Sequence, residues 1–411
     1  MTPTDILQAV TARLAGPVSP ETAAGPGLGT GLAGTALALA VLADQDPGLR
    51  RAAHERLTEA VRAPGAMRGG GLYSGVAAVA FAARTMARAP GEYRGLLDAL
   101  TPRVGESAAG RAAALRADLA AGAGLRAHTF DAVSGAAGLG RLLLALEPDG
   151  PALAGVLAAL VELAAPSEPT EPTAPTEPAA PTGGPLPRWW TAGGPGLPGA
   201  DPDHPRGHVN LGLAHGIPGP LALLALAWRQ GVRVPGQDEA IEALALGLAA
   251  HRMPAGGWPM TVRVEDVEQG RPPADAPTRA AWCYGTPGAA RSLFLAGTAL
   301  GRDDWRAAAV TALADALAEP AGWHLSGAGL CHGTGGLLRI TQRMAEDSGS
   351  ADLAAHLPAL AEATARDLAA ALAADEPATL LEGTAGAALA LHARTHPDAA
   401  APDWDAFLLL A

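Results

Sequence analysis

Apolar residues fall into two alternating kinds of segment along this chain. One kind is amphipathic at helical spacing, as in 235–251 and 303–318. The other is apolar nearly all round, as in 221–228, and that pattern predicts a helix buried on every side. The second kind follows a recurring Gly-x-x-Gly motif. It occurs as Gly31-Leu32-Ala33-Gly34, Gly135-Ala136-Ala137-Gly138 and Gly216-Ile217-Pro218-Gly219, then as Gly285-Thr286-Pro287-Gly288, Gly333-Thr334-Gly335-Gly336 and Gly383-Thr384-Ala385-Gly386. A degenerate copy, Gly75-Val76-Ala77-Ala78, brings the motifs to seven. Successive first glycines lie 44 to 81 residues apart, room for about two helices and their loops. Seven buried helices, each paired with an amphipathic one, predict an all-α fold: an α/α toroid with seven inner and seven outer helices. An open Ala-rich helical solenoid is the alternative.

Composition supports helix. The chain is 49% apolar, dominated by Ala and Leu, with only 4% aromatic residues. A length of 411 residues suits two ordinary domains, but a closed ring can hold it as one unit. A single domain over 1–411 is expected. Segment 166–187 is rich in Pro, Thr and Glu and has no apolar face, so it is expected to be a flexible surface insert. A docking strand for a partner is its other reading.

The net charge is −12 and every basic residue other than histidine is arginine, with no basic stripe, which argues against nucleic-acid binding. The N-terminus lacks the basic and apolar regions of a signal peptide, and no apolar run reaches the ~18 residues of a membrane span. A cytoplasmic location is expected. In a reducing compartment a disulfide would be unusual, so the two cysteines call for another explanation.

The residues just before the first glycines are Thr30, Ser74, Ser134, His215, Tyr284, His332 and Glu382, all polar. With parallel inner helices they would gather at one mouth of the ring, joined by Asp131, Cys283 and Cys331. Cys283, Cys331 and His332 make a Cys₂His set with a fourth position open, the pattern of a catalytic zinc. Adjacent residues on a regular helix diverge by ~100°, but in the turn before a helix Cys331 and His332 can face one ion. Two ordinary buried cysteines are the alternative. His324 is a nearby substitute ligand or a plain loop histidine.

These residues resemble the lanthionine synthetase C-like family, the lanthipeptide cyclases. The resemblance is carried by Leu213-Ala214-His215-Gly216-Ile217-Pro218-Gly219, by Arg279-Ala280-Ala281-Trp282-Cys283-Tyr284-Gly285-Thr286-Pro287-Gly288, by Cys331-His332-Gly333-Thr334-Gly335-Gly336 and by Thr129-Phe130-Asp131-Ala132-Val133-Ser134-Gly135. It spans all seven repeats and implies the double ring of seven inner and seven outer helices. It also implies Zn²⁺ on Cys283, Cys331 and His332, and catalytic positions at His215, Asp131, Arg279 and Tyr284. The implied substrate is a dehydrated precursor peptide, and the implied partner is a dehydratase. The implied reaction is intramolecular addition of a peptide cysteine, activated as a zinc-bound thiolate, to dehydroalanine or dehydrobutyrine. His215 can take or give a proton and either it or water would protonate the enolate, Asp131 would orient His215, and Arg279 would stabilise the enolate. Ala280 departs from the acid some cyclases carry there, which would leave Arg279 less tightly oriented.

Each residue also has a plain structural reading. His215 could cap a helix, Arg279 could be a surface cation, Asp131 could be the N-cap of the third inner helix, and Tyr284 could pack beside the metal. Trp189, Trp190, Trp258 and Trp282 are either core or walls of a peptide groove. Two other functions compete with the cyclase: a zinc-thiolate transferase adding glutathione or an isoprenoid, and a non-catalytic scaffold for a modified peptide.

Overall fold

The computed structural model describes residues 2–43, 46–166, 186–195, 201–270, 277–396 and 403–411. Fourteen helices among them build two concentric layers. In chain order they are α1 (Pro3–Ala15), α2 (Leu32–Leu42), α3 (Pro47–Arg62), α4 (Gly75–Met86), α5 (Arg94–Ala121), α6 (Ala136–Leu146) and α7 (Pro151–Ala164). The second half adds α8 (Pro218–Arg229), α9 (Gln237–Ala250), α10 (Thr286–Leu300), α11 (Asp303–Ala318), α12 (Thr334–Ser348), α13 (Ala351–Ala373) and α14 (Thr384–Thr395).

The even-numbered helices follow the glycine motifs. Each packs on the next, and α14 packs back on α2, closing the inner ring. The odd-numbered helices form the outer layer, each wedged against two consecutive inner helices, with α1 against α14 and α2. The layers follow from the sequence pattern. Every residue of α2 is buried, whereas α3 buries only Ala53, Leu57 and Ala60 along one stripe. The fold is thus an all-α double ring, and the closure of α14 on α2 rules out an open solenoid.

The glycine motif has a steric cause. A Cβ on Gly138 would lie 2.0 Å from the carbonyl oxygen of Ala132, and one on Gly386 would lie 1.9 Å from that of Leu380. The second glycine therefore lets the first helical turn sit against the carbonyl six residues earlier.

Two features were not expected. A small antiparallel pair, β1 (His208–Asn210) with β2 (Thr261–Arg263), forms between α7 and α10. Its β-branched Val209, Thr261 and Val262 favour strand over helix. The second feature is the segment 403–411, which threads the axis of the ring. Phe407, Leu408, Leu409 and Leu410 are fully buried there. Arg141 Nε donates to the Ala411 carbonyl at 2.7 Å, and Arg291 Nε donates to that of Leu410 at 2.8 Å. Arg339 and Arg343 hold the buried Asp405 carboxylate at 2.7 Å each. Most of the Pro-rich stretch 166–187 lies outside the described residues.

Candidate metal and proton-transfer site

The loops that open the inner helices are stitched edge to edge. The Leu28 N–H donates to the Tyr73 carbonyl, Ala132 to Ala214, Ala214 to Cys283, Cys283 to Cys331, Cys331 to Leu381, and Leu381 to Gly29. Six of the seven junctions carry such a bond. At the other, between the second and third repeats, Gly71 lies directly against the backbone of Val133 and Ser134. This stitching gathers the polar residues before each motif at one mouth, although they are far apart in sequence.

Three of the expected residues converge tightly. The ligand atoms of Cys283, Cys331 and His332 all lie within 4.8 Å of one another, and no other His, Cys, Asp or Glu group among the described residues does the same with metal-ligand geometry. The Cys283 N–H bond to the Cys331 carbonyl, 3.1 Å long, holds the two loops in register. The donor set fits a tetrahedral zinc, whose ligand distances of about 2.0–2.3 Å place donors about 3.3–3.8 Å apart. The electrostatics agree. The Cys331 thiol, together with the His332 side chain and the nearby charge of Arg279, pulls Cys283 down to about 5 against the opposing effect of burial. Cys331 moves the other way, pushed up by its bond to Cys283, by burial and by the neighbouring negative charges of Cys283 and Glu382. The pair therefore favours one thiolate, on Cys283. His332 is pushed up by its bond to that thiolate. His324 is not part of the group. It lies exposed in the preceding loop, with φ of 46°.

His215 and Asp131 form the second element. His215 Nδ1 lies 2.6 Å from Asp131 Oδ2. The other carboxylate oxygen accepts from the Ser134 and Gly135 N–H groups at 2.6 and 2.7 Å. Asp131 thus fixes His215 and ties down the turn before α6, but it is not the N-cap of that helix: Gly135 holds that position, and no side chain caps it. Nδ1 carries the proton in this pair, which leaves Nε2 as the free ring nitrogen. Burial alone would lower the pKa of His215, but the bond to and charge of Asp131, with the Cys283 thiolate, raise it overall.

Tyr284 stands next to both elements. Its ring centroid is 6.4 Å from that of His215, and its hydroxyl accepts from Asn210 Nδ2 at 3.2 Å. Burial is the main cause of its raised pKa. Arg279 is half-buried and close enough for its charge to favour the Cys283 thiolate. Its side chain makes no hydrogen bond or ion pair among the described residues.

Of the four tryptophans considered as groove walls, three are core. Trp189, Trp258 and Trp282 are 6%, 0% and 1% exposed, and half-buried Trp190 packs over Gly124. Trp258 and Trp282 Nε1 donate to the carbonyls of Leu248 and Leu408. Sequence reasoning missed His208 and Asn210, which sit on β1 behind Tyr284. Their alternate positions on a strand are the signal that could have found them.

This fold and site place the chain in a family. It belongs to the lanthionine synthetase C-like proteins, whose family model matches residues 22–409. Among solved structures, a protein called nisin cyclase is similar over 99% of this chain and 96% of its own, with a TM-score of 0.78 and 20% sequence identity. A search of curated protein sequences found no match. Among the described residues no helix is long and apolar enough to cross a membrane.

Proposed function

We propose that this protein is a zinc-dependent lanthipeptide cyclase. It would join a cysteine thiol of a dehydrated precursor peptide to dehydroalanine or dehydrobutyrine in the same peptide, making (methyl)lanthionine rings. The observation that carries this reading is the Cys283–Cys331–His332 group beside the His215–Asp131 pair at one mouth. Family membership and the likeness to nisin cyclase support it.

Cys283, Cys331 and His332 would hold the metal. Bound there with its fourth position open, zinc would keep a substrate thiol as thiolate at neutral pH. The remaining steps fall to the chain's own side chains. The mouth would hold the thiol and the dehydro residue together, and such proximity can supply several kcal/mol, out of a ceiling of about 7–11. Arg279, half-buried and unpaired among the described residues, would face the oxygen on which negative charge grows. His215, fixed through Nδ1 by Asp131, would pass a proton at Nε2, and its raised pKa suits it to hold one near neutrality. The α-carbon of the former dehydro residue gains one proton as the thiol loses one, so the ring forms without change of mass. We read the chain as one ring domain over 1–411 with 166–187 as an addition, acting in the cytoplasm alongside a dehydratase.

The test uses a dehydrated, Cys-containing peptide incubated with the zinc-loaded protein and then alkylated. Each ring removes one alkylation relative to a no-enzyme control, and Cys331→Ala should match that control. A mass gain from glutathione or an isoprenoid would favour a transferase. Binding of the peptide with every thiol still free would favour a scaffold.

A further inference from the structure

A buried polar chain stands behind the site, and the reaction above does not use it. His208 and Asn210 lie two residues apart on β1 and are 1% and 2% exposed. His208 Nδ1 is 2.8 Å from the Gly193 carbonyl oxygen, so that nitrogen carries the proton and Nε2 accepts. Asn210 Nδ2 is 3.3 Å from His208 Nε2 and 3.2 Å from the Tyr284 hydroxyl. An amide nitrogen has two hydrogens, and these acceptors use both. The amide cannot sit the other way round. Asn210 Oδ1 accepts from the Gly212 N–H at 3.0 Å, and a flipped amide would set donor against donor. Burial pushes His208 down to about 4, which keeps Nε2 an acceptor at neutral pH.

We propose that Asn210 is a positioning residue that makes Tyr284 a hydrogen-bond donor toward the substrate. A hydroxyl that accepts from Asn210 must direct its own hydrogen elsewhere. No described residue takes it, and the Tyr284 ring lies beside His215 at the mouth. The acceptor is the carbonyl oxygen next to the dehydro carbon, which gains negative charge as the thiolate adds. This assignment of the acceptor rests on the cyclase reading. Tyr284 keeps its proton throughout, and no bond to it forms or breaks. The competing account is that Asn210 only caps the β1 turn through Oδ1.

Asn210→Asp separates the two accounts. It preserves shape and the bond to Gly212 but replaces the donor facing Tyr284 by an acceptor, which captures the hydroxyl hydrogen. The first readout is infrared spectroscopy of metal-free protein with ring-labelled tyrosine. The chain has three tyrosines, so Tyr284→Phe assigns the signal. In Asn210→Asp the Tyr284 ring C–O stretch should move to higher frequency, as a hydroxyl changes from acceptor to donor. The second readout is cyclisation kinetics. The kcat should fall about tenfold with KM little changed, the worth of one hydrogen bond, and the substitution should cost nothing more in a Tyr284→Phe background. An unmoved C–O stretch, or an equal loss of rate in the Tyr284→Phe background, overturns the proposal. If Asn210→Asp fails to fold, Asn210→Ala removes the same donor and must raise the frequency likewise. If the wild-type protein forms no rings, the cyclase reading fails on its own, and the infrared result alone decides the role of Asn210.

Discussion

The mouth of the ring and its axis treat their polar groups in opposite ways. Along the axis, Arg141, Arg291 and Arg339 are each no more than 5% exposed, and each spends hydrogen bonds on segment 403–411. Asp405 is fully buried between Arg339 and Arg343. At the mouth, His215 Nε2, the Tyr284 hydroxyl hydrogen and the Arg279 guanidinium have no protein partner among the described residues. Unlike the axial arginines these groups reach water, the His215 side chain being 41% exposed, so they need no protein partner and stay open to a ligand. The axis is a closed polar network that fixes the ring. The mouth is an incomplete one, built on that fixed frame. The two are linked, because Leu408 accepts from Trp282, the neighbour of Cys283, and Phe407 accepts from Tyr73.

If this contrast is right, damage to the axis should cost stability and damage to the mouth should cost turnover. The largest effect is expected from Asp405→Ala. Burial would raise the pKa of Asp405, but the arginine ion pairs and hydrogen bonds hold it well below the usual carboxylate range. Removing it leaves two guanidinium groups facing each other in the core, at a cost of about 3–5 kcal/mol. Denaturant unfolding should show that loss. A loss below about 1 kcal/mol would mean that the axial network is dispensable.

Acid should come next. His208 has a folded value of about 4 against an ordinary 6.5, so the unfolded chain binds the extra proton first. Its contribution is complete above pH 6.5 and disappears as pH falls toward 4, in total of the order of 3 kcal/mol. His215, with a raised value, works in the opposite sense: its contribution is present at low pH and is lost as pH rises through its folded value. Asp405 adds a further loss only below its ordinary range near 3.8. Unfolding measured across pH 4–7 should be steeper in the wild type than in His208→Phe. Equal slopes would remove His208 as the cause.

The smallest free-energy change is expected at the mouth, where His215→Asn should lower turnover by roughly 10²-fold, about 2.7 kcal/mol in barrier. Zinc content and thermal midpoint should stay at wild-type values. Zinc loss in this variant would make His215 a ligand and merge the metal-binding and proton-transfer roles.

Much of this was legible in the sequence. The glycine motifs marked the inner helices, because in most repeats the contact between the second glycine and the carbonyl six residues earlier leaves room for little else; the second repeat, with Ala78 there, was legible only as a degenerate copy. Cys283, Cys331 and His332 were legible because the chain spends both its cysteines there. The axial network was not. Arg141, Arg291 and Arg339 each fall six residues after a first glycine, in the third, fifth and sixth repeats. That regularity is visible in the sequence, but only the closed ring turns it toward one axis, and 403–411 carries no repeat signal of its own. His208 and Asn210 escaped for a different reason. A three-residue strand is too short to disturb an all-helical pattern, so the two-residue period that aligns them went unread. Trp258 and Trp282 failed as groove walls because their indole N–H groups find carbonyls inside the core.

The central claim is that a thiol and a dehydro residue of one peptide are joined at the mouth, and running the alkylation assay in heavy water tests it most directly. Thiol addition leaves an enolate that takes its proton from solvent or from a side chain in exchange with it, and a deuteron on carbon does not wash back. After return to ordinary water, each alkylation lost should be matched by one retained deuteron. The Cys331→Ala variant should show neither above the no-enzyme level. Thiols lost without retained deuterium, or with the mass of an added thiol or isoprenoid, would contradict the cyclase account.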